Sequence, residues 1–415
     1  MEIIDLIAIL ITLTALFAYL NERFIKLPTT VGVMIVALCF SLVVLALGKL
    51  GIGGIAESAQ NLLSRVDFNK TLLHGMLSFL LFAGALHINI DDLAKEKWLI
   101  LSLATFGVLL STFIVGTLSW LLLKPFGIDA PYIYCLLFGS LVSPTDPIAV
   151  MATLKTVGIK KSLETKIAGE SLFNDGVGVV VFLVIFGMAT SGAEVSVSAA
   201  ATLFFKEAVG GIVFGLIIGF IAYLMLKSVD NYQVEILITL SLVLGGYMLA
   251  IHLHTSGPIA IVVAGLMIGN HGRLFAMSAK TREHLDTFWE LTDEILNALL
   301  FVLIGLELLV LDFTTQYLIF GLISIVVVLF ARTVSVGLPI MVMKLKREFS
   351  NNVVRILVWG GIRGGISVAL ALSLPPGKAR DLFICVTYVI VVFSIIVQGL
   401  TIGRLVKANT DPDDY

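Results

Sequence analysis

Thirteen apolar runs, each near the length a bilayer requires, leave this chain little choice of fold. They fall at about 4–22, 29–48, 71–90, 98–123, 131–154, 169–190, 202–227, 234–252, 256–270, 286–311, 316–343, 352–374 and 381–406. A helix of about 20 residues crosses the hydrocarbon core and satisfies its own backbone there. Only 13% of the 415 residues are charged, against about 25% in soluble domains. The expectation is an all-α membrane protein of about thirteen transmembrane helices, with residues 1–415 forming one polytopic unit. The connections are too brief to hold a soluble domain, and only a short tail at 408–415 follows the last run.

Lys and Arg in the connections set the orientation, because they are retained on the cytoplasmic side. One alternate set of loops holds Arg23, Lys26, Lys95, Lys97, Lys155, Lys160, Lys161, Lys166 and Lys227. It continues with Arg273, Lys280, Arg282, Lys344, Lys346, Arg347 and Arg355, and with Arg404 and Lys407 after the last run. The other set holds only Lys49, Arg65, Lys70, Lys124, Lys378 and Arg380, with Lys206 near the end of a run. In a cell membrane this bias places the N-terminus outside and the C-terminus in the cytoplasm, as an odd number of spans requires. The start, Met1-Glu2-Ile3-Ile4-Asp5, lacks the basic region of a signal peptide, so the first helix is expected to be kept. A net charge of −2 with no basic tail gives no reason to expect a nucleic-acid partner. Cys39, Cys135 and Cys385 lie in apolar runs and read as small hydrophobes.

The chain repeats itself at one offset. Phe82-Ala83-Gly84-Ala85-Leu86 matches Leu303-Ile304-Gly305-Leu306-Glu307, 221 residues on. Gly139-Ser140-Leu141-Val142-Ser143-Pro144 falls on Gly360-Gly361-Ile362-Arg363-Gly364-Gly365, and Gly178 falls on Gly399, at the same offset. About seven spans separate equivalent positions, so the halves 1–190 and 234–407 run in opposite senses, with 202–227 linking them. Two inverted six-helix repeats are an architecture of secondary transporters, whose site lies at the midplane.

Polar residues concentrate in Gly169-Glu170-Ser171-Leu172-Phe173-Asn174-Asp175-Gly176-Val177-Gly178. A charged side chain at mid-membrane costs roughly 2.5–3.5 kcal/mol on insertion scales, so it needs a partner, a cavity or a task. Ser171 and Asp175, four apart, share one helical face; Glu170 and Asn174 share the next. The first pair is expected to face an ion, and the second to face protein.

Two runs cannot be regular helices. In Ser143-Pro144-Thr145-Asp146-Pro147 each proline removes an N–H and frees a carbonyl. The related run is loosened by glycine, at Trp359-Gly360-Gly361-Ile362-Arg363-Gly364-Gly365-Ile366-Ser367. Interrupted spans in matching places point to a binding site. Arg363 needs an acceptor at that depth, and Asp146, Glu170 and Asp175 are the candidates. Pairing with Asp175 would lock that carboxylate in its charged form, so Glu170 is the better partner. Asp146 and Asp175 then remain as the titratable pair. Arg332 is expected to be structural, paired with Glu307 or with an acid near Glu294.

Taken together, these segments resemble the signature segments of the NhaP-type sodium/proton antiporters, in the monovalent cation/proton antiporter superfamily, over nearly the whole chain. The resemblance implies an NhaA-like fold with crossed interrupted helices, a six-helix core domain, a dimerisation domain, and a homodimer with an elevator-like movement. It implies that Asp175 binds Na+ and a proton in turn, helped by Asp146, the Thr145 backbone and Ser171. It further implies that Asn174 supports the crossed helices and that Glu170 pairs with Arg363. An Asn-Asp pair goes with electroneutral exchange in such proteins. Some relatives add a carboxylate from the third span, where this chain has only His74, His87 and Asn89. The expected partners are thus monovalent cations (Na+, with Li+), protons, the bilayer and a second copy, with no cofactor. The rival readings are a K+/H+ antiporter, a cation channel and an intramembrane aspartyl protease. The last carries Gly-x-Gly-Asp, whereas Asp175 here precedes its glycines.

Overall fold

The computed structural model describes residues 3–50, 54, 75–157, 161–191, 197–311, 313–345 and 352–409, and its regular elements are all helical. Arg65, Lys70, His74, Lys160, Lys346, Arg347 and the tail beyond 409 lie outside the described residues. In the first half the helices are α1 (Ile3–Leu20), α2 (Thr29–Lys49), α3 (Leu77–His87), α4 (Ile90–Ser102) and α5 (Val108–Leu123). They are followed by α6 (Tyr132–Val142), α7 (Ile148–Val157), α8 (Lys161–Ser191) and α9 (Val197–Ser228). The second half holds α10 (Tyr232–His252), α11 (Gly257–Met267), α12 (Ala279–Glu307), α13 (Thr315–Met343) and α14 (Val353–Trp359). It ends with α15 (Gly365–Leu372), α16 (Lys378–Phe393) and α17 (Gly399–Asn409).

Where the structure describes them, the apolar runs are helical apart from two breaks. Among the described residues, nine helical stretches are long and apolar enough to cross a membrane. The other four runs depart from that pattern for visible reasons. The described part of 71–90 is the 11-residue α3. The run 286–311 is the second half of a 29-residue helix whose first half is charged. The runs 131–154 and 352–374 are broken, into α6 and α7 and into α14 and α15.

Helix ends are set by polar caps. Asn89 accepts from the N–H groups of Asp91 and Asp92, so α4 begins at Ile90 and not at the apolar run's edge. Lys95 and Lys97, expected in a loop, therefore lie on its first turns, because the cap and the two aspartates at the helix's positive end start it early. A π-helical turn, Leu103–Gly107, then carries it into α5.

Packing sorts the helices into two sets. The α4–α5 helix, α6, α8, α13 and α16 pack on one another, and α14, α15, α7 and α17 join them. In the second set α2 packs on α12 and α1, and α11 packs on α3, α9 and α10. Close approach within the first set depends on a missing side chain: a Cβ at Gly139 of α6 would stand 2.2 Å from the Thr112 carbonyl oxygen of α5. Small residues at crossings allow such contact in lipid, where apolar burial alone does not drive helices together.

Gly139→Ala is expected to destabilise the protein by about 1–3 kcal/mol, since backbone cannot yield as a side chain can. Gly187→Ala, in α8, meets nothing within 4 Å and should leave stability near the parent value. Thermal unfolding of the two purified variants in detergent reads the difference.

Candidate functional site

The two breaks complete each other. Proline at 144 and 147 prevents the α6–α7 segment from bonding its own backbone, and the Gly-rich stretch before α15 does the same for its counterpart. The Asp146 N–H donates to the Ile362 carbonyl at 2.8 Å. In return Arg363 Nη1 donates to the carbonyls of Ser143 and Pro144 at 3.0 and 3.1 Å. The carbonyls freed by proline thus hold a cation, and it is a guanidinium.

Asp146 sits at the start of α7, where its Oδ1 accepts the Ile148 N–H at 2.9 Å. Its negative charge faces the positive end of that half-helix. A Cβ at Gly364 would stand 1.9 Å from Asp146 Oδ2, so this approach requires glycine.

The polar turn of α8 lies against the same break. Asn174 Oδ1 accepts the Thr145 N–H at 3.2 Å, and its Nδ2 donates to Thr145 Oγ1 at 2.8 Å. The hydroxyls of Thr145 and Ser171 are hydrogen-bonded at 3.0 Å. Behind them, the Ser143 hydroxyl donates to the Gly139 carbonyl at 2.7 Å. Asn174 therefore ties a helix to an interrupted segment through both ends of its amide.

Glu170 has a different partner from the one expected. It forms a two-armed ion pair with Arg332 of α13: Nη1 with Oε1, and Nη2 with Oε2 at 3.0 Å. Arg332 also donates from Nε and Nη2 to the Leu357 carbonyl of α14, at 3.3 and 3.0 Å. This corrects both arginine assignments, since Arg363 does not bond Glu170 and Arg332 takes neither Glu307 nor an acid near Glu294. The reason is steric and local. Gly361 has no side chain, and a Cβ there would stand 2.5 Å from Arg332 Nε, so the guanidinium passes over it to Glu170. Arg363 meanwhile finds the two carbonyls beside it.

A cavity of about 690 Å³ reaches this region. Asp146 and Asp175 line its wall; Thr145 and Ser171 lie behind and are not on its surface. It is also lined by Thr29, His87, Asp92, Lys161 and Glu164, near the ends of α2, α3, α4 and α8. Asp175 is 8% exposed. No described residue donates a hydrogen bond to its carboxylate, whereas Glu170 and Asp146 are both engaged. The arrangement offers one uncommitted acid, beside a second that is already capping a helix, on the wall of the cavity. Such an acid can take up a proton or a small cation.

Two features lay beyond sequence reasoning. Arg332 was the only other arginine deep in a span, but spacing along the chain does not say which arginine reaches Glu170. Asn297 of α12, which lines the cavity, carries no motif.

Breaking the buried pair by Arg332→Met is expected to cost about 3–5 kcal/mol, because Glu170 is left charged and alone. Adding Glu170→Gln should recover most of that loss. A double-mutant cycle on thermal unfolding measures it, and additive losses would mean the two groups are not coupled.

The profile of the family described as sodium/hydrogen exchanger, transmembrane, matches residues 11–408. The chain is 52% identical over 408 residues to the Na(+)/H(+) antiporter NhaP of Pseudomonas aeruginosa, covering 97% of this chain and 96% of that one. It is 34% identical over 412 residues to the Na(+)/H(+) antiporter NhaH of Halobacillus dabanensis, covering 98% and 96%. In fold it matches the sodium proton antiporter MjNhaP1 from Methanocaldococcus jannaschii at pH 8, with a TM-score of 0.79 over 99% of both chains at 22% identity. With nine membrane-length apolar helices among the described residues, two mutually bonded breaks and a family profile spanning nearly its whole length, the chain belongs to the sodium/hydrogen exchanger family, among its NhaP-type antiporters, and is a multi-pass transporter and not an enzyme.

Proposed function

We propose that this protein exchanges Na+, and Li+ with it, for H+ one for one, with Asp175 holding cation and proton in turn. The observation that carries this reading is the uncommitted Asp175 carboxylate on the wall of the 690 Å³ cavity. The printed activity of the relatives at 52% and 34% identity supports the choice of ions.

The physics is competition for one seat. A bare carboxylate is costly in a dry interior, and either a proton or a metal ion relieves that cost. Both loaded forms can cross; the empty charged form cannot, so uptake of one ion requires release of the other. Asp146 adds charge beside the seat; Thr145 and Ser171, which bond each other behind the cavity wall, turn their oxygens to the ion when it is bound. Asn174 holds α8 to the break, Glu170 with Arg332 ties α8 to α13 and α14, and Arg363 closes the crossed helices. Because Asn174 stands where a second aspartate would add a charge, each cycle moves one cation against one proton.

In this reading the chain makes thirteen spans, with the N-terminus outside and the C-terminus in the cytoplasm. Its halves, 1–190 and 234–407, are inverted six-helix repeats joined by 202–227. The set built on α8, α13 and the broken helices moves against the set built on α2, α11 and α12, within a homodimer. The cavity also touches Lys161, from the loops rich in Lys and Arg, which this reading assigns to the cytoplasmic side.

The test is dequenching of a pH dye in proteoliposomes. Asp175→Asn should abolish Na+-driven proton movement, whereas exchange at the parent rate would end the proposal. Protons at Asp175 exclude the cation, so the apparent KM for Na+ should rise as pH falls, approaching about tenfold per pH unit where the protonated form dominates. An apparent KM independent of pH between about 6 and 9 counts against competition. A potassium/valinomycin clamp should leave the rate unchanged if the exchange is one for one.

A further inference from the structure

The wall of the cavity opposite the interrupted helices is α12, and it is not uniformly apolar. It contributes Asp293, Glu294, Asn297 and Leu300, a stripe at three- and four-residue spacing running from the mouth inward. Asn297 is the innermost polar member. It is 1% exposed, its Oδ1 has no hydrogen-bond partner, and its amide bonds no described residue. Buried amides are seldom left so. Behind the wall, Thr145 bonds both Ser171 and Asn174; Thr30 of α2, also on the cavity, shares with Asn297 a buried oxygen that has no described partner.

The depth of Asn297 follows from its neighbour. Leu300, about 4.5 Å further along the helix axis, meets the start of α15, where a Cβ at Gly365 would stand 2.4 Å from Leu300 Cδ1. The adjoining Gly364 touches Asp146. Asn297 thus stands less than one turn from the level of the acids, on the helix that faces them. From α3 the same cavity receives Leu77, Leu80, Leu81, Gly84 and His87, and His87 supplies ring nitrogens but no side-chain oxygen.

We propose that Asn297 is a cation-coordinating residue: its amide oxygen replaces a water on the arriving alkali cation and sets how well Na+ and Li+ are taken up. An amide oxygen suits a hard cation and, being uncharged, leaves the count of titratable groups at the seat unaltered. A purely structural amide would be hydrogen-bonded to the wall it supports. This proposal rests on the exchange reading above, and it places the cation between the two helix sets, where α12 can tell loaded from empty.

The experiment compares the parent with Asn297→Ala, Asn297→Leu and Asn297→Gln in proteoliposomes, using NaCl, LiCl and KCl at fixed pH. Losing the oxygen in Asn297→Ala should raise the apparent KM for Na+ about tenfold, with the maximal rate within about twofold and an altered Na+/Li+ ratio. Asn297→Leu, which fills the space, should behave like Asn297→Ala, so a collapsed wall does not decide the result. Asn297→Gln keeps an uncharged amide oxygen and should return the KM to within about threefold of the parent. An unchanged KM in both the Ala and Leu variants overturns the proposal. A raised KM that Gln does not rescue also overturns it, since that is the behaviour of a packing residue. If the parent itself gives no Na+-driven signal, the exchange reading has failed and this proposal with it; a responsive parent with indifferent variants fails this proposal alone.

Discussion

Two interrupted helices can persist inside a bilayer only if each supplies what the other lacks. Lipid offers no hydrogen bonds, so backbone groups freed by proline or glycine must find protein. Here the Asp146 N–H meets the Ile362 carbonyl, and the Arg363 guanidinium covers the carbonyls of Ser143 and Pro144. The remaining features of the site depend on that exchange. Asp146 can cap α7 because the chain turns there, and Gly364 can lie against it because α15 starts there. Removing the donor would leave two carbonyls with neither helix nor water.

The buried charges divide into closed and open groups. Glu170 and Arg332 neutralise each other and reach the Leu357 carbonyl, which binds α8, α13 and α14 into one body. Asn174, Thr145 and Ser171 form a second closed group. Beside them Asp175 stands on the cavity wall and accepts from no described residue. On the proposed function, this uncommitted carboxylate is the seat of the transported ion, and the closed groups keep it from being taken by the protein's own cations.

Much of this was legible in the chain. Apolar runs located the described membrane-length helices, because in lipid a helix needs only length and hydropathy. The prolines of Ser143-Pro144-Thr145-Asp146-Pro147 and the glycines around Arg363 marked both breaks, because proline cannot donate and glycine does not hold a helix. Four-residue spacing separated Glu170 and Asn174, which bond protein, from Asp175, which lines the cavity; Ser171, grouped with Asp175 by the same spacing, bonds Thr145 and is off the cavity wall. Where reading failed, the cause was contact between distant segments. The start of α4 was missed because a polar cap outranked hydropathy. Glu170 was given the wrong arginine because two were present at similar depth.

By itself, then, the sequence determined that the chain spans a membrane many times, where its helices break, and which residues are too polar to sit there unaided. These are local properties, set by hydropathy, by backbone chemistry and by the 3.6-residue period. Only the tertiary structure decided who satisfies whom. Arg332 reaches Glu170 because Gly361 leaves it room, Arg363 turns to carbonyls 219 and 220 residues away, and Asn297 faces the acids from another helix. Partner choice depends on distances across the fold, and the order of residues along a chain does not contain them.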